Sequence, residues 1–140
     1  MDSMTLLQEV RNSLAGHAAR TGETIDQFFT RQVHERVQGE RLLPKQTVPG
    51  WTNLRLVDGL VVVHAEQWPL EALDFKPPWH SSLVSSSHHQ SPVVFRGWGY
   101  KCLVDGQSRV NIWNQLRGPS PYRVLVVEPR KALDNPFPSA

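Results

Sequence analysis

The sequence predicts an α+β domain in which two N-terminal helices pack on an antiparallel sheet of five or six strands. Apolar side chains recur at helical spacing in the first 40 residues, and the later residues alternate as strands do. Most of the eleven prolines fall between the strand segments, as expected of loops and strand ends. The 140 residues suffice for one core, so we expect a single domain over 1–128 and a poorly ordered tail over 129–140.

An amphipathic pattern predicts the first helix over residues 3 to about 20, with Asp2 or Ser3 as its cap. Its apolar residues are Leu6, Leu7, Val10, Leu14 and Ala18. A second helix is expected to begin at Thr24, because Thr24 and Gln27 have the spacing of a capping box. Its apolar stripe consists of Ile25, Phe28, Phe29, Val33 and Val37. Such stripes favour helices that cover a sheet over helices that bind a membrane or a partner helix.

Strand patterns follow Pro44. The expected strands are 54–57, 60–65, a broken segment at 79–84, 93–104, 109–113 and 122–127. Asp58-Gly59 and Asp105-Gly106 are predicted hairpin turns, because Asp and Gly tolerate positive φ. The apolar segment 122–127 is predicted to be an edge strand that pairs with its equivalent in a second copy, continuing the sheet across a homodimer.

A ten-residue segment occurs twice, at 50–59 and 97–106, with six of ten positions identical. Each copy has a tryptophan (Trp51, Trp98) near its start and a basic residue (Arg55, Lys101) within it. Accessible tryptophans beside positive charge suit a nucleic-acid surface. The alternative is that two half-buried hairpins share these residues by chance, with Trp98 in the core.

Charge is unevenly distributed along the chain, although the net charge is only +2. Six of the thirteen acidic residues lie in the first 40, whereas seven Lys and Arg follow Pro92 against three acidic residues. The C-terminal third is therefore expected to be the basic part. The single Cys102 excludes an intrachain disulfide and suits a reducing compartment. No membrane span or export signal is expected.

Catalytic and metal patterns are weak, so the sequence predicts a protein that is not an enzyme and has no metal or cofactor. Cys102 lies in an expected strand without an identifiable base, which favours a core role. His80, His88 and His89 are loosely spaced around a serine-rich loop, which favours solvated side chains over metal ligands. No Gly-rich phosphate loop leads from a strand into a helix.

Three stretches resemble, in order, the small RNA-silencing suppressors of plant tombusviruses and aureusviruses. Residues 49–56 resemble that family's Pro-x-Trp-Thr-x-Trp-Arg-Leu, and residues 73–79 resemble its Leu-x-Phe-Lys-x-x-Trp. Residues 95–97 and 106–109 resemble a Phe-Arg-Gly strand that turns into Gly-Gly-Ser-Arg, here with two extra residues between them. The matches lie within residues 49–109.

The resemblance implies a symmetric homodimer that binds double-stranded RNA on a sheet shared by both subunits. Together with the repeat, it gives the candidate RNA-binding residues Trp51, Arg55, Lys76, Trp79, Arg96, Trp98, Lys101, Ser108 and Arg109. Leu54 stands where the family has a second tryptophan that stacks on the duplex end. This departure is similar to the aureusvirus type, which tolerates duplexes of many lengths. Another departure is the serine-rich 80–87, where the family strand is basic.

These observations predict a viral suppressor of RNA silencing, located in the host-cell cytoplasm, that sequesters small interfering RNA duplexes without reading their sequence. A-form RNA is recognised largely by its shape, phosphates and 2′-hydroxyls, so such a protein needs no base readout. The rival hypothesis is a non-enzymatic protein-interaction module that uses exposed Gly-Trp hairpins to bind a host protein, such as an Argonaute-type silencing factor.

Overall fold

The computed structural model describes residues 2–45, 54–73, 91–107, 110 and 122–130. Two helices pack against a four-stranded mixed sheet within these ranges, which confirms the α+β class and the helical N-terminal part. The prediction of a wholly antiparallel sheet of five or six strands was wrong for the described part, because one of its strand pairs is parallel. The expected segment at 79–84 and most of the tail lie outside the described residues, as does the expected strand 109–113 apart from Val110, which lies in a helical turn.

Both helices have the capping that the sequence indicates. Helix α1 is Ser3–Thr21, and the Asp2 carboxylate accepts a hydrogen bond from the Thr5 amide at 2.9 Å. Helix α2 is Ile25–Gln38, and Thr24 and Gln27 form the reciprocal bonds of a capping box. Each helix ends at a glycine in the left-handed conformation, where a side chain would be strained.

The sheet consists of β1 (Val61–Trp68), β2 (Val93–Gly97), β3 (Tyr100–Asp105) and β4 (Tyr122–Pro129). A short 3₁₀ helix, Leu70–Ala72, follows β1. The spatial order is β1-β4-β2-β3, in which β4 runs antiparallel to β1 and parallel to β2, and β2 runs antiparallel to β3.

Strand β4 is central among the described strands, so the prediction that 122–127 is an edge strand was wrong. Its continuous apolar run is explained by burial on both faces. Leu125 and Val127 pack on the helix side, whereas Val124 and Val126 pack on the opposite side. A strand with one solvated face would alternate apolar and polar residues instead.

The two expected Asp-Gly hairpins were also wrong. Residues 54–57 do not form a strand, and Gly106 begins a helical turn in which its carbonyl accepts from the Val110 amide at 2.9 Å. The hairpin turn lies instead at Trp98-Gly99, whose φ angles are 52° and 85°. Two successive positive φ angles match the primed turns that suit the twist of paired strands.

Apolar layers lie on both sides of the sheet. The helix-side core joins α1 and α2 to sheet residues that include Val61, Val63, Val93, Phe95, Leu125 and Val127. Cys102 also lies there, buried as the sequence indicates. The opposite core contains Trp68, Leu73, Val94, Leu103, Val110, Val124 and Val126. Both faces of the sheet therefore carry buried apolar side chains.

Candidate nucleic-acid interface

A group of charged side chains surrounds Trp68 on the sheet face opposite the helices. We call it the basic–aromatic cluster; it consists of His64, Glu66, Trp68, Arg96, Lys101 and Glu128. Strand periodicity places them on one face, because Glu66 and His64 precede Trp68 by two and four residues. Arg96, Glu128 and Lys101 are each two residues from a member of the opposite core, namely Val94, Val126 and Leu103.

Arg96 lies at the centre of the cluster between two carboxylates. Its Nη1 and Nη2 donate to Glu66 at 3.0 and 2.6 Å, and its Nε and Nη2 donate to Glu128 at 3.2 and 3.3 Å. The bonds to Glu66, and then those to Glu128, raise the pKa of Arg96. The same Arg96 bonds, with a smaller contribution from Trp68, lower the pKa of Glu66 against the opposing effect of burial. Arg96 and Glu66 are therefore both charged at neutral pH.

The Trp68 ring holds two cations near it. The Arg96 Cζ lies 5.9 Å from the ring centroid, and the Lys101 Nζ lies 5.2 Å from it. The indole Nε1 donates to Glu66 at 2.9 Å, which fixes the ring orientation. Both distances are within the range of cation–π attraction. Lys101 is exposed and forms no ion pair with a described carboxylate, so its ammonium group can reach a ligand.

The acidic members of the cluster offset its basic ones. Arg96 and Lys101 carry two positive charges, and Glu66 and Glu128 carry two negative ones. His64 Nε2 lies 2.9 Å from Glu128 Oε1, and both side chains are partly exposed. A phosphate would meet Lys101 first and would have to compete with carboxylates for Arg96.

The fold also pairs other cations of the basic C-terminal third with acidic residues from earlier in the chain. Arg123 donates to both carboxylate oxygens of Glu9 at 3.1 Å, and Arg130 lies 3.6 Å from Asp58. The charge separation seen along the sequence is therefore reduced in three dimensions. Among the described cations after Pro92, Lys101 is the one without a carboxylate partner.

Two residues that the sequence associated with RNA lie on the helix side. The Leu56 amide donates to Asp26 at 2.9 Å, and the Leu54 carbonyl accepts from the Thr30 hydroxyl at 3.1 Å. Arg55, between Leu54 and Leu56, is exposed. Leu54 is 2% exposed in the helix-side core, so it is not placed to stack on a duplex end.

Trp98 lies in the β2–β3 turn rather than in the cluster. Its ring is half-buried, lies 5.5 Å from the Phe95 ring and packs against the helix-side core. Of the two alternatives for this tryptophan, the structure favours the core one. The remaining candidates Trp51, Lys76, Trp79, Ser108 and Arg109 lie outside the described residues.

Sequence reasoning missed four members of the cluster: His64, Glu66, Trp68 and Glu128. A sequence signal for three of them exists: His64, Glu66 and Trp68 occupy alternate positions. This pattern extends the expected strand beyond Ala65. Glu128 lies just past the expected end of its strand. Both errors are boundary errors, and each hid charged side chains at a strand end.

Comparison with protein-family models, with curated proteins and with solved structures gives no match to this chain. In the described part of the chain, no helix has the length and apolar character needed to cross a membrane. The same residues contain no group of three side chains suited to hold a metal ion, and His80, His88 and His89 lie outside them.

Proposed function

We propose that this protein binds double-stranded RNA as a homodimer, without reading its sequence, and suppresses RNA silencing by sequestering small RNA duplexes in the cytoplasm of an infected host cell. The observation that carries the proposal is the basic–aromatic cluster, in which Lys101 and Arg96 flank Trp68 on a sheet face. The ordered resemblance of residues 49–109 to the viral suppressors supports the same function.

Duplex RNA is a ligand that fits such a surface. Its phosphates attract ammonium and guanidinium groups, and its shape is read without contacts to base edges. The Lys101 ammonium contacts a phosphate directly. Arg96 adds a second contact when a phosphate replaces one of its carboxylate partners, since charge-assisted bonds of a guanidinium suit phosphate as well as carboxylate.

The two glutamates moderate this interaction. Their charges repel an approaching phosphate, and their bonds hold Arg96 on the surface of the sheet. Binding is therefore expected to involve few phosphate contacts per subunit and to weaken with salt in proportion to their number. Tolerance of duplex length follows from the burial of Leu54, because a buried leucine offers no flat surface to a terminal base pair.

The test is a binding titration with a perfect RNA duplex of about 21 base pairs, a size typical of small RNAs that are recognised through A-form shape. Lys101→Ala should weaken binding alike for unrelated sequences and reduce the magnitude of the log–log salt slope by about two per dimer, about one for each Lys101. Arg41→Ala removes the same charge from an exposed residue after α2 and serves as the matched control.

Equal affinities of the Lys101→Ala variant and the wild type, with both proteins folded, would remove the cluster from the RNA site. If the wild type does not bind duplex RNA but retains a host silencing protein at high salt, the protein-interaction hypothesis replaces the proposal, because apolar contacts are little affected by screening.

A further inference from the structure

We propose that two copies of this chain pair through the outer edge of β1, in an antiparallel register centred on Ala65. The inference deepens the proposed function, since it rests on the homodimer and names its interface.

The outer strands of the described sheet are β1 and β3, and their exposure differs. In β3, the residues from Cys102 to Asp105 are all buried. In β1, His64, Ala65 and Gln67 are exposed. An exposed outer strand presents unpaired amide and carbonyl groups to another strand. The edge of β1 is therefore the open one.

Hydrogen bonds at the start of β1 show which backbone groups point outward. The Leu60 carbonyl accepts from the Arg130 amide at 2.9 Å, so the even-numbered residues bond toward β4. The Val63 amide donates in the other direction, to the Ser3 hydroxyl at 3.1 Å. Because antiparallel ladders alternate, the backbone groups of Ala65 and Gln67 also point away from β4.

Side-chain complementarity selects the register. With Ala65 opposite Ala65 of the second copy, His64 lies opposite Glu66 and Val62 lies opposite Trp68, twice each by symmetry. An imidazole opposite a carboxylate and an aromatic ring opposite a β-branched side chain are favourable cross-strand pairs. Centring on Glu66 would oppose two carboxylates, and centring on Gln67 would place Pro69, which has no amide to donate, two residues from the two-fold axis instead of four.

The surface beside this edge can accept the second strand. A groove of about 550 Å³ adjoins this edge and is lined by residues that include Ser3, Leu6, Val63 and Arg123. In the Ala65-centred register, Gln67 of the second copy lies opposite Val63, whose amide exchanges its bond to the Ser3 hydroxyl for one to the second copy. Ala65 itself places only a methyl group at the two-fold axis, so the backbones can approach.

The first experiment measures oligomeric state by sedimentation equilibrium at micromolar concentration, without RNA. The wild type is expected to be a dimer, and Ala65→Pro is expected to be a folded monomer, because proline removes an outward amide that the chain's own sheet does not use. Ala65→Thr keeps that amide, suits a strand and should remain dimeric. A monomeric wild type, or a dimeric Ala65→Pro protein, would overturn the proposal.

Cysteine cross-linking tests the register and does not depend on a loss of folding. Two Ala65→Cys chains should form an intermolecular disulfide under mild oxidation, whereas two Gln67→Cys chains should not, since their residues would be about 14 Å apart along the strands. The wild type, whose only cysteine is buried, gives the background. Faster cross-linking of Gln67→Cys than of Ala65→Cys would overturn the register.

The outcomes separate this inference from the proposed function. RNA binding by a protein that fails both tests would leave the RNA proposal intact and remove the β1 interface. A dimer cross-linked at residue 65 that binds no duplex RNA would support the interface and contradict the function.

Discussion

Arg96 shows that the partners of a cation decide what else it can bind. The sequence indicated a positive residue in a basic segment, but in the folded chain two carboxylates occupy its donors. These carboxylates come from strands that are distant in sequence, and no local pattern reports that they will meet. The residue can therefore support RNA binding only in competition with Glu66 and Glu128.

Glu66→Gln is expected to strengthen RNA binding about fivefold, roughly 1 kcal/mol, because it removes one repulsive charge and loosens Arg96. The glutamine carbonyl can still accept the bond from Trp68 that orients the ring. Glu71→Gln, an equal change of charge at an exposed residue of the 3₁₀ helix, serves as the control in the same titration. Weaker binding by Glu66→Gln than by Glu71→Gln would place the RNA elsewhere.

At the level of the elements, the close approach of β2 to the end of β4 requires a glycine. A Cβ atom built on Gly97 would lie 2.5 Å from the Pro129 Cδ atom, whereas one on Gly16, in the middle of α1, would meet nothing within 4 Å. Gly97→Ala should therefore destabilise the fold by about 1–3 kcal/mol through overpacking. Gly16→Ala should stabilise it by roughly 0.5–1 kcal/mol through helix propensity.

Urea denaturation of both glycine variants, compared with the wild type, checks this pair of expectations. Equal stability of the two variants would mean that Gly97 does not lie against the proline ring.

The elements differ in how well the sequence predicted them. The first helix and the start of the second were predicted nearly to the residue, because capping and apolar spacing are local signals. The repeated segment gave a wrong prediction of two equivalent hairpin turns, because its two Asp-Gly pairs contact different parts of the fold. Residues 54–56 are held by α2, and Gly106 begins a helical turn. Strand order could not be predicted, because it depends on contacts between distant segments such as β1 and β4.

At the scale of the whole molecule, a buried ion pair ties the helices to the segment that follows them. Arg31 donates to both carboxylate oxygens of Glu23 at 2.9–3.2 Å, and both side chains are nearly inaccessible. Glu23 also accepts from the Lys45 amide at 3.0 Å. Arg31→Met should lower the free energy of unfolding by about 3–5 kcal/mol, because it leaves a buried carboxylate unpaired.

The control is Arg11→Met, which removes a more exposed arginine paired with Asp26, and should cost much less in the same urea denaturation. Similar losses of unfolding free energy in Arg31→Met and Arg11→Met would contradict the claim that burial makes the Arg31 ion pair the more important of the two.

The same pair predicts how stability depends on pH. Burial opposes ionisation of Glu23, but hydrogen bonds from Arg31, the Lys45 amide and Thr21 outweigh it and lower the pKa of the carboxyl. A lowered folded-state pKa contributes stability above the ordinary glutamate range, and this contribution is lost as the pH falls through the folded-state pKa. As the pH is lowered through the acidic range, the midpoint temperature of thermal unfolding should therefore fall more steeply for the wild type than for Glu23→Gln. Parallel plots of midpoint temperature against pH would contradict this expectation.

The candidate site was less predictable than the fold. Lys101 and Arg96 were identified from the sequence, yet Trp68, which brings them together, was not. Trp98 and Leu54 have packing roles that only the three-dimensional arrangement reveals. A sequence shows which residues could bind RNA, whereas their availability depends on which partners the fold supplies.

The central claim is tested most directly by titrating the wild-type protein with an RNA duplex of about 21 base pairs, a longer RNA duplex, single-stranded RNA and a DNA duplex of equal length, at two salt concentrations. We expect preferential binding of both RNA duplexes, with similar affinity per site and weaker binding at higher salt. Equal binding of the DNA duplex, or no binding of either RNA duplex, would contradict it.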